Sequence, residues 1–246
     1  MNPLPLFLII VSLPLLLGGC GEKEVVTEVV EPVTENVDPA PTKINSEWAT
    51  LPKPTLFDLA IRKVLNYPTG ELTKPVLEKV TKLEINNRQI TNLKGIEKLT
   101  NLKELELKGN GLTDVKSLEN LTKLEILVLD GNKLTNLKGI EKLTNLKELE
   151  LIGNGLTDVK SLEDLTKLEI LFLTSNKLTN VSYIGNLKNL KVLALENNEL
   201  TDVKGLEKLT KLEWLYLENN NLPKLQITEL QKALPNCKIY PKVKAK

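Results

Sequence analysis

The 246-residue chain has no histidine, two cysteines (Cys20 and Cys237), one methionine and only 4% aromatic residues. Without an imidazole, Ser-His-Asp and Cys-His nucleophile pairs are excluded, and so is His-ligated zinc. Two cysteines can make neither a thiolate metal cage nor a disulfide framework. An excess of one charge is missing too: 33 Lys+Arg stand against 32 Asp+Glu, a net +1, so no basic surplus advertises nucleic acid. What is abundant is aliphatic. Hydrophobic residues make up 41% of the chain, so a core must be built almost wholly from Leu, Ile and Val. This composition disfavours catalysis, and no cofactor, metal or small-molecule substrate is expected.

Leu4 to Leu17 form an apolar run broken only by Pro5, Ser12 and Pro14. A spanning helix needs about 20 residues, so this run suits the apolar region of an export signal instead. It ends in Leu17-Gly18-Gly19-Cys20, which resembles the lipobox of bacterial lipoproteins. That resemblance implies cleavage of residues 1–19 as a signal peptide and diacylation of Cys20 through its sulfur. Two or three acyl chains hold a protein on a membrane stably, where one does not. From Gly21 to Pro54, three Lys oppose seven Asp and Glu, a balance of −4, and five prolines interrupt a stretch with no apolar period. Residues 20–54 therefore read as the lipidated cysteine and a disordered tether, about 30–35 Å end to end as a coil. The remaining 30 basic and 25 acidic residues give the rest of the chain +5.

From Leu77 the chain repeats itself every 22 residues, with new copies at Leu99, Leu121, Leu143, Leu165, Leu187 and Leu209. In the second copy the apolar positions are Leu99, Leu102, Leu105, Leu107, Leu112, Val115 and Leu118. All seven are aliphatic in each of the first six copies, and the seventh loses only the last, to Thr228. Neither a helical nor a strand period gives this spacing. The pattern LxxLxLxxNxL resembles the leucine-rich repeat, in the 22-residue class found in internalins and protein phosphatase regulatory subunits. The resemblance implies an α/β solenoid, a curved right-handed coil with a parallel sheet on its concave face. The physics agrees: each xLxLx piece is a strand, and stacked copies close a core that none could bury alone. Asn110, Asn132, Asn154, Asn176, Asn198 and Asn220 recur at one step and are expected to form a ladder on backbone groups of the turns. Arg88 stands at that step in the first copy. No proline occurs between Val76 and Leu222, as a continuous ladder requires.

A solenoid needs capped ends. Over residues 55–76, Leu56, Leu59, Ala60, Val64 and Leu65 fall at helical spacing before the Tyr67-Pro68-Thr69-Gly70 break, a stretch resembling the N-terminal caps of bacterial repeat proteins of this class. The repeats fill 77–230, and residues 231–246 form a C-terminal cap and tail. Ile227, Leu230 and Leu234 mark a short amphipathic helix, followed by a last strand, Cys237-Lys238-Ile239-Tyr240, with Cys237 a small buried residue rather than a reactive thiol.

Side chains alternating with the strand leucines line the concave face. One column runs Lys82, Glu104, Ile126, Glu148, Ile170, Val192, Trp214; the other runs Glu84, Glu106, Val128, Glu150, Phe172, Ala194, Tyr216. Acidic rungs stop after the fourth copy, and Ile170, Phe172, Val192, Ala194, Trp214 and Tyr216 follow side by side. Three aromatics converge there although the core is expected to use none, and aromatic anchors dominate interfaces. The competing reading has the C-terminal cap fold over Trp214 and Tyr216. Residues 99–142 and 143–186 match at 34 of 44 positions, with Lys108 against Ile152, Val128 against Phe172 and Asp130 against Thr174 among the differences. Glu104/Glu106 and Glu148/Glu150 are carboxylate pairs at about the separation used in glycoside hydrolysis. An open sheet has no wall to tune them, so they are assigned to steering a basic partner.

These readings converge on a non-catalytic, monomeric module of the bacterial cell envelope, held on a membrane through acylated Cys20 and facing the periplasm or cell surface. It would bind a protein partner through Ile170, Phe172, Val192, Ala194, Trp214, Tyr216 and the four glutamates. The alternative is a structural envelope protein that binds cell-wall polymer or associates with itself. Cys20→Ser is expected to leave the protein soluble or unprocessed, and membrane fractionation checks it: unchanged recovery in the membrane fraction would rule the anchor out.

Overall fold

A strand of three residues with one inward leucine cannot bury its own apolar face, so each copy depends on the copies before and after it. In the computed structural model, which describes residues 56–240, this dependence gives eight parallel strands in sequence order. They are β1 (Lys82–Glu84), β2 (Glu104–Glu106), β3 (Ile126–Val128), β4 (Glu148–Glu150), β5 (Ile170–Phe172), β6 (Val192–Ala194), β7 (Trp214–Tyr216) and β8 (Lys238–Tyr240). The signal segment, Cys20 and the tether to residue 54 lie outside the described residues, as does the tail from residue 241.

Strands pair in register at the repeat step, from Lys82↔Glu104 to Val192↔Trp214. The last pairing, Trp214↔Lys238, is two residues longer. Its connection is a helix, α3 (Lys224–Ala233), where earlier coils use a single 3-10 turn. The strand-centre residues Leu83, Leu105, Leu127, Leu149, Leu171, Leu193 and Leu215 are completely buried and form one wall of the core. Leucines and valines of the return segments form the opposite wall on the convex side. Gly139, at φ +99°, starts one such return, and a Cβ there would stand 2.9 Å from Lys116 Cα of the preceding coil. Glycine is therefore required by both backbone and space. Its N–H donates to Glu141 Oε2 at 2.7 Å, which caps the turn that follows.

The turn after each strand leaves backbone groups facing inward with no partner in the sheet. The asparagines meet them. Asn132 Nδ2 donates to Leu129 O of its own coil (2.8 Å) and Leu107 O of the preceding one (3.0 Å), while its Oδ1 accepts the Leu112 N–H (3.2 Å). Asn110, Asn154, Asn176, Asn198 and Asn220 repeat the arrangement. At the first copy the backbone N–H of Arg88 donates to Asn110 Oδ1 at 3.0 Å, so the first coil is held by the ladder without contributing an asparagine. Among the described residues every buried side-chain nitrogen and oxygen has a hydrogen-bond partner.

Two helices, α1 (Leu56–Val64) and α2 (Lys74–Leu77), precede β1. The buried stripe of α1 differs from the expected one. Phe57 and Ile61 enter the core, with Ala60 packed beside them, whereas Leu59 and Val64 are about half exposed. About one residue of phase, roughly 100° around the helix, separates the two readings, and contact with the first coil selects the face carrying the larger ring. The core thus contains an aromatic residue after all, Phe57, confined to the cap where the repeat's spacing does not apply. Arg62 Nη2 donates to Gly70 O at 2.9 Å and pins the intervening loop. At the other end Ile227 and Leu230 of α3 are buried, and Leu234 is buried just beyond the helix. Burial pushes the Cys237 thiol up to about 11, which keeps it in the unreactive protonated form. Among the described residues no helix is long and apolar enough to cross a membrane.

Because Asn132 is nearly buried and Asn154 is partly exposed, water can replace the lost amide more readily at Asn154. Asn132→Ala is expected to cost about 2–4 kcal/mol by leaving several backbone groups unpaired, and Asn154→Ala less. Urea denaturation of both variants checks the order; equal losses would detach the ladder's energy from burial.

Candidate concave binding face

The pairing places each outward side chain directly beside its counterparts two strands wide. Glu148 lies between Ile126 and Ile170, and Glu150 between Val128 and Phe172. A third column follows the strand ends: Asn86, Lys108, Asp130, Ile152, Thr174, Glu196, Glu218. The sequence reading named Lys108, Asp130, Ile152 and Thr174 of this column as differences between the duplicated copies, and left out Asn86, Glu196 and Glu218.

In the first half of the face the acidic rungs are partly neutralised from within. Lys82 Nζ lies 2.9 Å from Glu104 and 3.8 Å from Glu106. Lys108 Nζ lies 3.2 Å from Glu150 and 3.4 Å from Asp130. Asn86 Nδ2 donates to Glu84 (2.9 Å) and Glu106 (3.3 Å), and Asp130 Oδ1 accepts the Ile152 N–H at 2.9 Å. Burial opposes the charge on Lys108, but Glu150 and Asp130 more than offset it and hold its pKa above the ordinary value. Carboxylates outnumber cations here. Burial first, then Glu150, raises Asp130 to about 6 and Glu148 to about 7. Such closely spaced groups titrate as one cluster. Among the described residues no group of three or more acidic or cysteine side chains is placed to hold a metal ion.

Two copies further on, the charges are replaced. Ile152 and Thr174 stand where Lys108 and Asp130 stood, and Phe172 stands where Val128 stood. Ile170, Phe172, Val192, Trp214 and Tyr216 are each partly exposed, so they share one continuous surface with the acidic half. Ala194 is 7% exposed, because Phe172 and Tyr216 flank its methyl on the adjacent strands. It is a floor rather than a contact point.

Among the described residues, up to Tyr240, the C-terminal cap extends this surface. β8 adds Lys238 to the first column and Tyr240 to the second. Tyr240 stacks on Tyr216 with ring centroids 5.3 Å apart and lies nearly parallel to Trp214 at 6.5 Å. Lys238 Nζ sits 4.0 Å from the centre of the Trp214 ring, a cation–π contact. The sequence reading placed this last strand but not its rungs, because α3 breaks the repeat step there. At the opposite margin of the sheet, Lys103, Glu125 and Lys147 form a ladder of exposed lysines about a partly exposed glutamate, with Lys147 Nζ 2.6 Å from Glu125. Exposed pairs of this kind contribute little to stability.

The signature described as "Leucine Rich repeats (2 copies)" matches residues 100–143 and 144–186, and "Leucine rich repeat" matches 179–222. Curated proteins return no match. Among solved structures, an internalin of Listeria monocytogenes, InlF, is 28% identical with a TM-score of 0.55, covering 74% of this chain and 66% of that one. Internalin C2 of the same organism is 24% identical with a TM-score of 0.60, over 74% of this chain and 90% of its own, and shows the shared fold. The functional domain of InlJ, also from Listeria monocytogenes and including a cysteine ladder, is 26% identical with a TM-score of 0.60, over 74% of this chain and 44% of its own. This chain therefore spans just under two thirds of InlF and less than half of the InlJ domain. Its own ladder is asparagine, and Cys237 is the one cysteine among the described residues.

The raised Glu148 pKa carries a stability consequence. The folded chain holds this proton up to about pH 7, against an ordinary value of 4.5. Its stabilising contribution is present below the ordinary value and is lost as pH rises through the folded one. Glu148→Gln, which keeps the neutral shape, should therefore leave stability at pH 4 nearly unchanged. At pH 8 it should add about 1–2 kcal/mol, after allowance for water's screening of the partly exposed group. Urea midpoints at the two pH values check this; an equal gain at both would refute the assignment.

Proposed function

We propose that this chain, whose residues 100–222 are leucine-rich repeats, is a non-catalytic module that binds a protein partner through its concave sheet face. The observation that carries the reading is the joined surface itself. An aliphatic and aromatic half, Ile170, Phe172, Val192, Trp214 and Tyr216, runs without a break into an acidic half that includes Glu104, Glu106, Glu148 and Glu150. Aromatic anchors beside satisfied polar rungs are what a protein interface requires. The internalin-like fold supports the same reading, since repeat proteins of this kind typically serve as binding modules. Burial and the neighbouring Glu150 raise the Glu148 pKa, but the pair lies on an open sheet with no facing wall to exclude water, which supports recognition over reaction.

Anchoring belongs to the same proposal. The apolar run ending at Cys20 and the acidic tether that follows support a module held at a bacterial envelope membrane by acyl chains and displayed at the tether's reach. The acidic half would steer encounter with a basic partner, and the aromatic half would set the dissociation rate.

The double variant Phe172→Ala with Trp214→Ala is expected to lose capture of a partner crosslinked from the native envelope, with the melting temperature retained. Undiminished capture by a folded variant would overturn the concave-face reading.

A further inference from the structure

The outward side chains of β5 to β8 form a row of flat groups with one member missing. In the second column Tyr216 stacks on Tyr240 at 5.3 Å with planes 12° apart, so rings on successive rungs of this face pack directly on one another. Phe172 lies two rungs before Tyr216, and the rung between them carries only the methyl of Ala194. Two rungs of a sheet span about 9–10 Å at the backbone, which leaves room for one planar group between the side chains that the outer two carry. Tyr240 already covers the outer side of Tyr216, so the ring face that remains is the one over Ala194. The mouth of this gap is acidic. Glu196 follows Ala194 along the chain and accepts the Thr174 hydroxyl at 2.7 Å. Burial, Tyr240, Glu196 and Glu218 together raise the Tyr216 pKa, which puts both carboxylates within electrostatic reach of its hydroxyl.

Resting on the proposal that this face binds a protein, we infer that the gap over Ala194 seats an arginine of the partner. Its guanidinium lies between Phe172 and Tyr216, and its N–H groups are directed to Glu196 and Glu218. Guanidinium is planar, as thin as a ring, stacks on aromatic faces and offers donors in a fork that matches carboxylates. An ammonium group cannot fill a planar gap, and a neutral ring would leave the two carboxylates without a counter-charge. The chain's own Lys238 over Trp214 shows that ring faces on this surface accept a cation.

The test is an NMR titration of the full chain with Nα-acetyl-arginine methylamide, following the Ala194 methyl and Tyr216 ring signals. The citrulline, lysine and phenylalanine counterparts serve as comparisons. A saturable shift is expected with the arginine compound at a millimolar Kd, and binding weaker by about tenfold or more with the others. Ala194→Leu should fill the missing rung and abolish the Tyr216 response without lowering the melting temperature. Glu196→Gln with Glu218→Gln should weaken it by about tenfold. Absence of a saturable arginine response, or an equal response to the citrulline or phenylalanine compound, overturns the arginine seat. If the Phe172→Ala, Trp214→Ala chain loses its partner while arginine gives no response, the binding face stands and the seat falls. If arginine binds while capture is undiminished in that variant, the concave-face reading falls and takes the partner's arginine with it.

Discussion

Every part of this molecule depends on leucines shared between coils. A strand three residues long and a single 3-10 turn have no stability of their own, since each exposes an apolar side that only its neighbours can cover. Stacking at a constant step covers that side and brings the inward backbone of each turn close to the next, where no sheet bond can reach it. The asparagines belong to this same constraint. Each spans two coils, so the polar interior is satisfied by the repetition that satisfies the apolar one. The convex glycines follow too, because coils close enough to share leucines leave no room for a Cβ at Gly139.

Once the core is periodic, the outward side chains are free of it, and variation accumulates there. The face divides into a half where Lys82 and Lys108 partly compensate a surplus of carboxylates and a half where rings and aliphatics stand side by side. The compensation matters as much as the charge. Burial and Glu150 oppose ionisation and raise Glu148 to about 7, so it is partly protonated at neutrality, while Asp130, at about 6, gains its proton only in mild acid. The acidic half therefore presents somewhat less negative charge than its residue count implies. A basic partner would relieve that opposition, which makes the acidic half receptive to cations without making it a fixed ion site. The substitution of Ile152, Phe172 and Thr174 for Lys108, Val128 and Asp130 two copies earlier changes a charged network into a largely apolar surface. The leucines beneath stay unchanged.

The ends show where periodic reasoning stops. At the N-terminus α1 has no repeat to set its phase, and packing against the first coil turns Phe57 and Ile61 inward and leaves Leu59 and Val64 outside. At the C-terminus α3 lengthens the last connection and lets β8 join the sheet. The cap therefore contributes Lys238 and Tyr240 to the concave face instead of hiding Trp214 and Tyr216. In both places the deciding contact joins segments that do not resemble each other, so no self-similarity announces it.

The period, the strand positions, the asparagine step and the alternation that sends each side chain in or out are local properties. They are written in the spacing of leucines, and the fold class was legible from them. The proposed export leader and the proposed acylation of Cys20 rest on the sequence by itself, through apolar length and the small residues before the cysteine. Only the tertiary structure decided which charges meet. Lys108 contacts a glutamate two copies away, Glu148 makes no ion pair of its own among the described residues, and Tyr240 becomes a neighbour of Tyr216 across a broken step. Those facts depend on distances between coils, and an electrostatic or stacking energy changes steeply with distance where a hydrophobic pattern does not.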